Sequence, residues 1–282
     1  MKIHLPFYLL LTRPLNLAII ACTQLIFIFH SAGYEMDNIR WAESLFVILA
    51  TILTAAAGNV INDIFDIEED MINNPEKRII SRKISVRNGK IFYGFLIAAS
   101  LIFGFISGIT MGFLCVAIGI MLYFYSSDLK GETLWGNLLI AFMTGAVVFT
   151  ADLGVYTRID GYFAEYSLFA FLITLAREII KDIEDMEGDK QQEYATFPIV
   201  YGVRKSAVLV SVILLVMVSL VVYIAIRHGN LPYNIFISLF IILPVIVFLF
   251  LLKKAESKKD FHRLSVFLKS LMVTGILSVL GL

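Results

Sequence analysis

Asp63, Asp66 and Asp70 lie in the stretch NDIFDIEED, residues 62–70, and Asp182, Asp185 and Asp189 lie in DIEDMEGD, residues 182–189. Both groups read Asp-Ile-x-Asp-apolar-Glu-x-Asp, with the acids separated by three and then four residues. On an α-helix those offsets bring three carboxylates onto one face. Like charges so aligned repel, and at a helix C-terminus the backbone dipole opposes them further. A solvated acidic face is the plain alternative, but it leaves the matched spacing of the two groups as coincidence. A hard cation resolves the repulsion. Mg²⁺ takes carboxylate oxygens, keeps several waters and bridges one or two carboxylates to the phosphates of a substrate. The chemistry these acids predict is Mg²⁺-assisted handling of a phosphorylated ligand.

The elements that must carry these acids are apolar. The chain is 59% hydrophobic, with a mean hydropathy of +0.84, well above a soluble domain. About twenty apolar residues cross a bilayer as a helix. Nine runs qualify, at about 16–31, 42–62, 91–108, 110–126, 134–152, 163–181, 206–227, 233–252 and 264–281. No soluble domain fits between them, so one all-α transmembrane domain is expected over residues 1–282. The apolar stretch from Pro6 to Leu11 lacks a small-residue cleavage site and reads as retained chain rather than a signal peptide. Formal net charge is zero, which gives no reason to expect nucleic acid. Cys22 and Cys115 sit in apolar runs as packing residues, and the four His lack ligand spacing.

Sidedness follows from the cations. With nine crossings, every Lys and Arg except Arg40, Arg158 and Arg227 falls on the side of the N-terminus. That side is then cytoplasmic, at a cell membrane, and the C-terminus is outside. Four crossings separate the two acidic groups, so both open onto the cytoplasm and can face one cavity open to that side and to the lipid. Cations accompany them. Lys77 and Arg78 come after the first group, Tyr123, Tyr125 and Lys130 lie in LYFYSSDLKG, and Arg177 and Lys181 precede the second group. Arg and Lys on phosphate oxygens stabilise charge developing on a leaving group.

These motifs resemble the UbiA-type intramembrane prenyltransferases. NDIFDIEED is similar to that family's first Asp-rich motif and DIEDMEGD stands where its second belongs. RPLN (Arg13 to Asn16), YSSDLK (Tyr125 to Lys130) and Gly136-Asn137 also fit the family's pattern. The resemblance runs from about Arg13 through the ninth helix. It implies a nine-helix enzyme that uses Mg²⁺ to bind a prenyl diphosphate and passes the prenyl chain to an acceptor, releasing diphosphate. It implies Asn62, Asp66, Asp70, Asp185 and Asp189 as metal ligands. Asp63, Asp66, Asp182 and Asp185 become the catalytic acids, with Asp182 a further ligand or the acceptor's base. Arg78, Lys130 and Lys181 would hold the diphosphate. Asn16, Tyr123, Tyr125 and Arg177 would contact substrate, with a Tyr ring face steadying an allyl cation.

REIIKDIEDMEGD, residues 177–189, is similar to the archaeal branch of the family, which forms the second ether bond of membrane lipids. That branch joins geranylgeranyl diphosphate to geranylgeranylglyceryl phosphate. The partners implied are a prenyl diphosphate, a lipid-like phosphate acceptor and the membrane's lipids, with no protein partner. Aromatic or quinone-precursor prenyl transfer is the alternative acceptor chemistry. A divalent-cation carrier would place acids at mid-membrane with access from both sides, whereas these acids lie at one face. A phosphatidyltransferase would show D-x-x-D-G-x-x-A-R, and Asp66 is followed by Ile67.

Overall fold

The computed structural model describes residues 5–73, 79–156 and 161–281, with the side chains of Leu5, Glu69, Ile72 and Asn73 left aside. Its helices are α1 (Leu5–Leu11), α2 (Pro14–Ser31), α3 (Trp41–Phe65), α4 (Ile67–Asn73), α5 (Val86–Ser107), α6 (Ile109–Phe124), α7 (Trp135–Tyr156), α8 (Gly161–Gln191), α9 (Phe197–Tyr201), α10 (Val203–His228), α11 (Leu231–Ile237), α12 (Leu243–Lys254) and α13 (Lys258–Leu277). Among the described residues there is no strand, only an isolated bridge between Ile80 and Ile84.

Among the described residues, eight helical segments are long and apolar enough to cross a membrane, and they coincide with eight of the nine expected runs. The ninth run, 163–181, lies inside α8. That helix is 31 residues long, about 46 Å at 1.5 Å per residue. It carries Glu165, Arg177 and Glu178 along its apolar length and continues ten residues beyond the expected end. The second acidic group therefore lies within a continuous helix.

The described residues pack as two compact units, one within 1–130 and 150–159 and the other within 131–149 and 160–282. In the first unit α3 is central and packs on α2, α5 and α6. Small side chains let these helices approach, as lipid-embedded packing requires. A Cβ on Gly58 of α3 would lie 2.8 Å from Leu122 of α6, and one on Gly154 would lie 2.7 Å from Val47. The wholly buried Gln24 amide of α2 donates to Thr51 Oγ1 at 2.9 Å and Thr150 Oγ1 at 2.8 Å. That polar node fixes rotation where apolar side chains alone would let helices turn.

In the second unit α8 is central, between α10 and α13. Near its start, Tyr166 Oη meets Ser278 Oγ at 2.8 Å and Tyr233 Oη at 3.1 Å. Glu165 pairs there with Arg227 at 3.3 Å and with His228 at 3.2 Å. These contacts anchor the end of α8 remote from its acids. From that anchored end, the helix's length gives the position of the acids.

Candidate functional site

The first acidic group does not lie on one unbroken helix, contrary to the three-on-a-face expectation. Helix α3 ends at Phe65, and Asp66 is its C-cap at φ −81°, ψ 8°. Hydrogen bonds at the helical spacing run on both sides of the break, from Asp66 N to Asn62 O at 2.9 Å and from Asp70 N to Asp66 O at 2.8 Å. The acids so meet different partners. Asp63 accepts from Arg13 Nη2 at 2.7 Å. Arg13 stands in the left-handed region, φ 54°, ahead of Pro14, a conformation costing a non-glycine residue about 1–2 kcal/mol. Asn59 Nδ2 pins that turn onto α3 by donating to Thr12 O at 3.0 Å.

Asp66 is the centre of the group. It is only 6% exposed. Its Oδ2 accepts from Asn62 Nδ2 and pairs with Lys130 Nζ at 2.6 Å. Its Oδ1 is buried with no hydrogen-bond partner. Lys130 comes directly after a π-helical turn, Tyr125–Leu129, closed by Lys130 N donating to Tyr125 O at 2.9 Å. Such a turn inserts one residue and re-aims the chain beyond it, and π turns recur at functional sites. Here it brings Lys130 back onto Asp66. Asp70 is partly buried on α4, and Asn16 lies partly buried in the first turn of α2.

The second group keeps its helix, and its acids are held by the residues around 131–137 and 194–196. Asp182 Oδ2 accepts from Asn137 Nδ2 of α7 at 2.8 Å. Asp189 is 4% exposed and its Oδ2 faces Thr196 Oγ1 at 3.5 Å. Thr196 arrives there because Ala195 N donates to Gly131 O at 2.8 Å while the Tyr194 ring lies where a Gly131 Cβ would be, at 2.6 Å. Asp185 is partly exposed between them.

The expected cations divide differently from the sequence expectation. Lys130 is on an acid of the first group. Arg177 and Lys181 are both on Glu178, at 2.6 and 3.6 Å. Arg78 lies outside the described residues. Tyr125 opens the π turn. Tyr123 is half exposed, packs edge-on against Phe65 at 5.7 Å and lines an apolar groove of about 320 Å³ with Tyr93, Ile97 and Cys115. Sequence reasoning missed Glu178, a buried acid concealed between two cations. It noticed Arg13 and Asn137 only as parts of a pattern, without their acidic partners.

Among the described residues, no three His, Cys, Asp or Glu side chains converge as a ready metal cage. Mg²⁺ does not require one, since it binds through one or two carboxylates plus waters and phosphate. The buried Oδ1 of Asp66 is a hard oxygen with coordination to spare, and the amide and carboxylates around it are the donor type Mg²⁺ prefers. The residues present fit that ion.

The sequence pattern described as the UbiA prenyltransferase family matches residues 24–271. A digeranylgeranylglyceryl phosphate synthase of Methanosphaera stadtmanae is 34% identical, with 96% of this chain and 97% of that one aligned. The enzyme of that name from Methanocaldococcus jannaschii is 33% identical over 94% of this chain and 92% of its own. A solved structure described as a study of digeranylgeranylglyceryl phosphate synthase in membranes superposes with a TM-score of 0.77 at 32% identity, covering 98% of both chains. A UbiA homolog from Archaeoglobus fulgidus, bound to GPP and Mg²⁺, shares the fold with a TM-score of 0.68 at 17% identity, over 97% of this chain and 99% of that one.

Proposed function

We propose that this chain, which belongs to the UbiA prenyltransferase family, transfers a geranylgeranyl group from geranylgeranyl diphosphate to the free hydroxyl of geranylgeranylglyceryl phosphate. The observation that carries this reading is the likeness, over 96% of the chain, to an enzyme bearing the name of that reaction. The site supplies chemistry of the right kind. Asn62, Asp66 and Asp70 in one group, and Asp185 and Asp189 in the other, would hold Mg²⁺. When bound, Mg²⁺ neutralises the diphosphate and makes it a competent leaving group.

The chain's own residues do the rest. Lys130 is fixed beside Asp66, so it would meet a diphosphate held there. Its charge then stabilises the oxygen released when the C1–O bond breaks. The prenyl C1 is left with allyl-cation character. The acceptor's secondary hydroxyl attacks C1, forming the ether bond, and its proton leaves to a carboxylate. On this reading the carboxylate is that of Asp182, which Asn137 orients. The products are the diether phosphate and diphosphate. The acidic groups and the N-terminus face the cytoplasm and the C-terminus the outside, as the distribution of Lys and Arg supports.

The test offers purified protein geranylgeranyl diphosphate and Mg²⁺ with either the glyceryl phosphate ether or 4-hydroxybenzoate. The expected product is the diether phosphate alone. Prenylated hydroxybenzoate without diether would overturn the acceptor and leave the wider family chemistry standing.

A further inference from the structure

We propose that Arg177 and Lys181, held by Glu178, form the site for the acceptor's phosphate, and that Glu178 is their positioning residue. This rests on the function proposed above, and it separates the acceptor's anion from the diphosphate at the level of named residues. Glu178 is 8% exposed and lies just past an uncharged run over residues 168–176 of α8. A carboxylate placed there needs opposing charge. It has two sources. Arg177 Nη1 donates to Oε1 at 2.6 Å, and Lys181 Nζ stands 3.6 Å from Oε2. Two cations on one acid exceed what the acid alone requires.

The second observation concerns the other edge of the guanidinium. Arg177 Nε is buried and has no hydrogen-bond partner. A guanidinium offers its N–H groups as a rigid fork that matches phosphate oxygens in pairs. Glu178 fixes the plane of that fork through Nη1, leaving the Nε edge for an acceptor. A buried donor left unmet is costly, so the arrangement suits a state in which an anion is present. Lys181, with its side chain 37% exposed, adds a second donor one turn along the helix.

Position selects which anion. Glu178 and Asp182 are four residues apart and share a face of α8. Asp185 lies about 10 Å further along the axis from Glu178 at 1.5 Å per residue. The acceptor's reactive hydroxyl and its phosphate stand on neighbouring glycerol carbons. A phosphate held by Arg177 and Lys181 therefore keeps the hydroxyl near Asp182, which takes its proton on this reading. On this reading the diphosphate remains with Lys130 and the metal-holding acids named above. The sequence expectation placed Lys181 on the diphosphate; its place on Glu178 reassigns it to the acceptor.

The test is steady-state kinetics of the purified full chain, with geranylgeranyl diphosphate and either geranylgeranylglyceryl phosphate or its dephosphorylated alcohol. For the wild type, the phosphorylated acceptor is expected to have a KM at least tenfold lower than the alcohol. Inorganic phosphate is expected to compete with the acceptor and not with the diphosphate. Arg177→Gln should raise the acceptor KM tenfold or more, leave the donor KM within threefold, and abolish the preference for phosphate. Arg177→Lys, which keeps charge and loses the fork, should fall between. Glu178→Gln should raise the acceptor KM more than it lowers kcat, and Glu178→Asp should restore part of the loss. Equal KM values for the two acceptors in the wild type would overturn the proposal even if no variant folds. Unchanged acceptor KM in the Arg177 variants, or donor KM rising in parallel, would also overturn it. A wild type that makes ether product while failing these criteria refutes this site alone. One that makes no ether from either acceptor refutes the proposed function itself.

Discussion

Asp66 concentrates the burial, the ion pair and the spare oxygen of the first group in one side chain, and substitutions there should separate catalysis from stability. Asp66→Ala and Asp185→Ala are each expected to lower turnover by more than a hundredfold, about 2.7 kcal/mol of barrier. EDTA is expected to abolish turnover and added Mg²⁺ to restore it; activity surviving EDTA would end the metal reading. The two variants should differ in stability. Relief of like-charge repulsion alone would leave both unharmed. Asp66→Ala instead removes the buried carboxylate at which the Lys130 ammonium and the Asn62 amide point, and should cost about 1–3 kcal/mol. Asp185 is partly exposed, so Asp185→Ala should leave the unfolding temperature in detergent nearly unchanged. Arg13 gives a second dissection. Its ion pair with Asp63 is 44% exposed on the Arg side and contributes little stability, about 0–1 kcal/mol. Arg13→Gly also removes the left-handed strain, so thermal unfolding should barely move while turnover falls. A large drop in unfolding temperature would show that Arg13 has a structural role.

Helix α8 converts distance along the membrane into the placement of the second acidic group, and α7 sets its rotation. Two contacts between α7 and α8 matter. Asn137 holds Asp182, and Gly145 accepts from Ser167 Oγ at 2.9 Å. A Cβ at Gly145 would lie 2.9 Å from the backbone oxygen of Ser167. Backbone cannot yield as a side chain can, so Gly145→Ala should destabilise by about 1–3 kcal/mol, read from thermal unfolding. A neutral result would mean that α7 and α8 can separate without cost. Asn137→Ala leaves the helices packed and frees Asp182. It should lower kcat with little change in unfolding temperature, and unchanged kcat would remove Asp182 from the chemistry.

For the whole molecule, charge asymmetry predicts which way the chain sits in the bilayer. A reporter fused after Lys90 or Lys205 should be cytoplasmic and one fused near Asn230 outside. Opposite sides for Lys90 and Lys205 would remove the shared face assumed for the acids. Hydropathy and the matched acids were legible in the sequence because lipid imposes runs of fixed length and metal chemistry imposes fixed spacing. Eight apolar runs became the expected helices for that reason, and the two Asp-rich motifs carried the family. The full extent of α8 was not legible from hydropathy, since its last ten residues are mostly polar and fall outside the apolar run. Nor was the break at Asp66, where local sequence still reads as helix. The pairing of each charge was decided by tertiary structure alone. Arg13 and Asp63 are fifty residues apart, Lys130 and Asp66 sixty-four, and Asn137 and Asp182 forty-five. Sequence supplies the charges, while their partners depend on which helices pack and how a single π turn aims the residue after it.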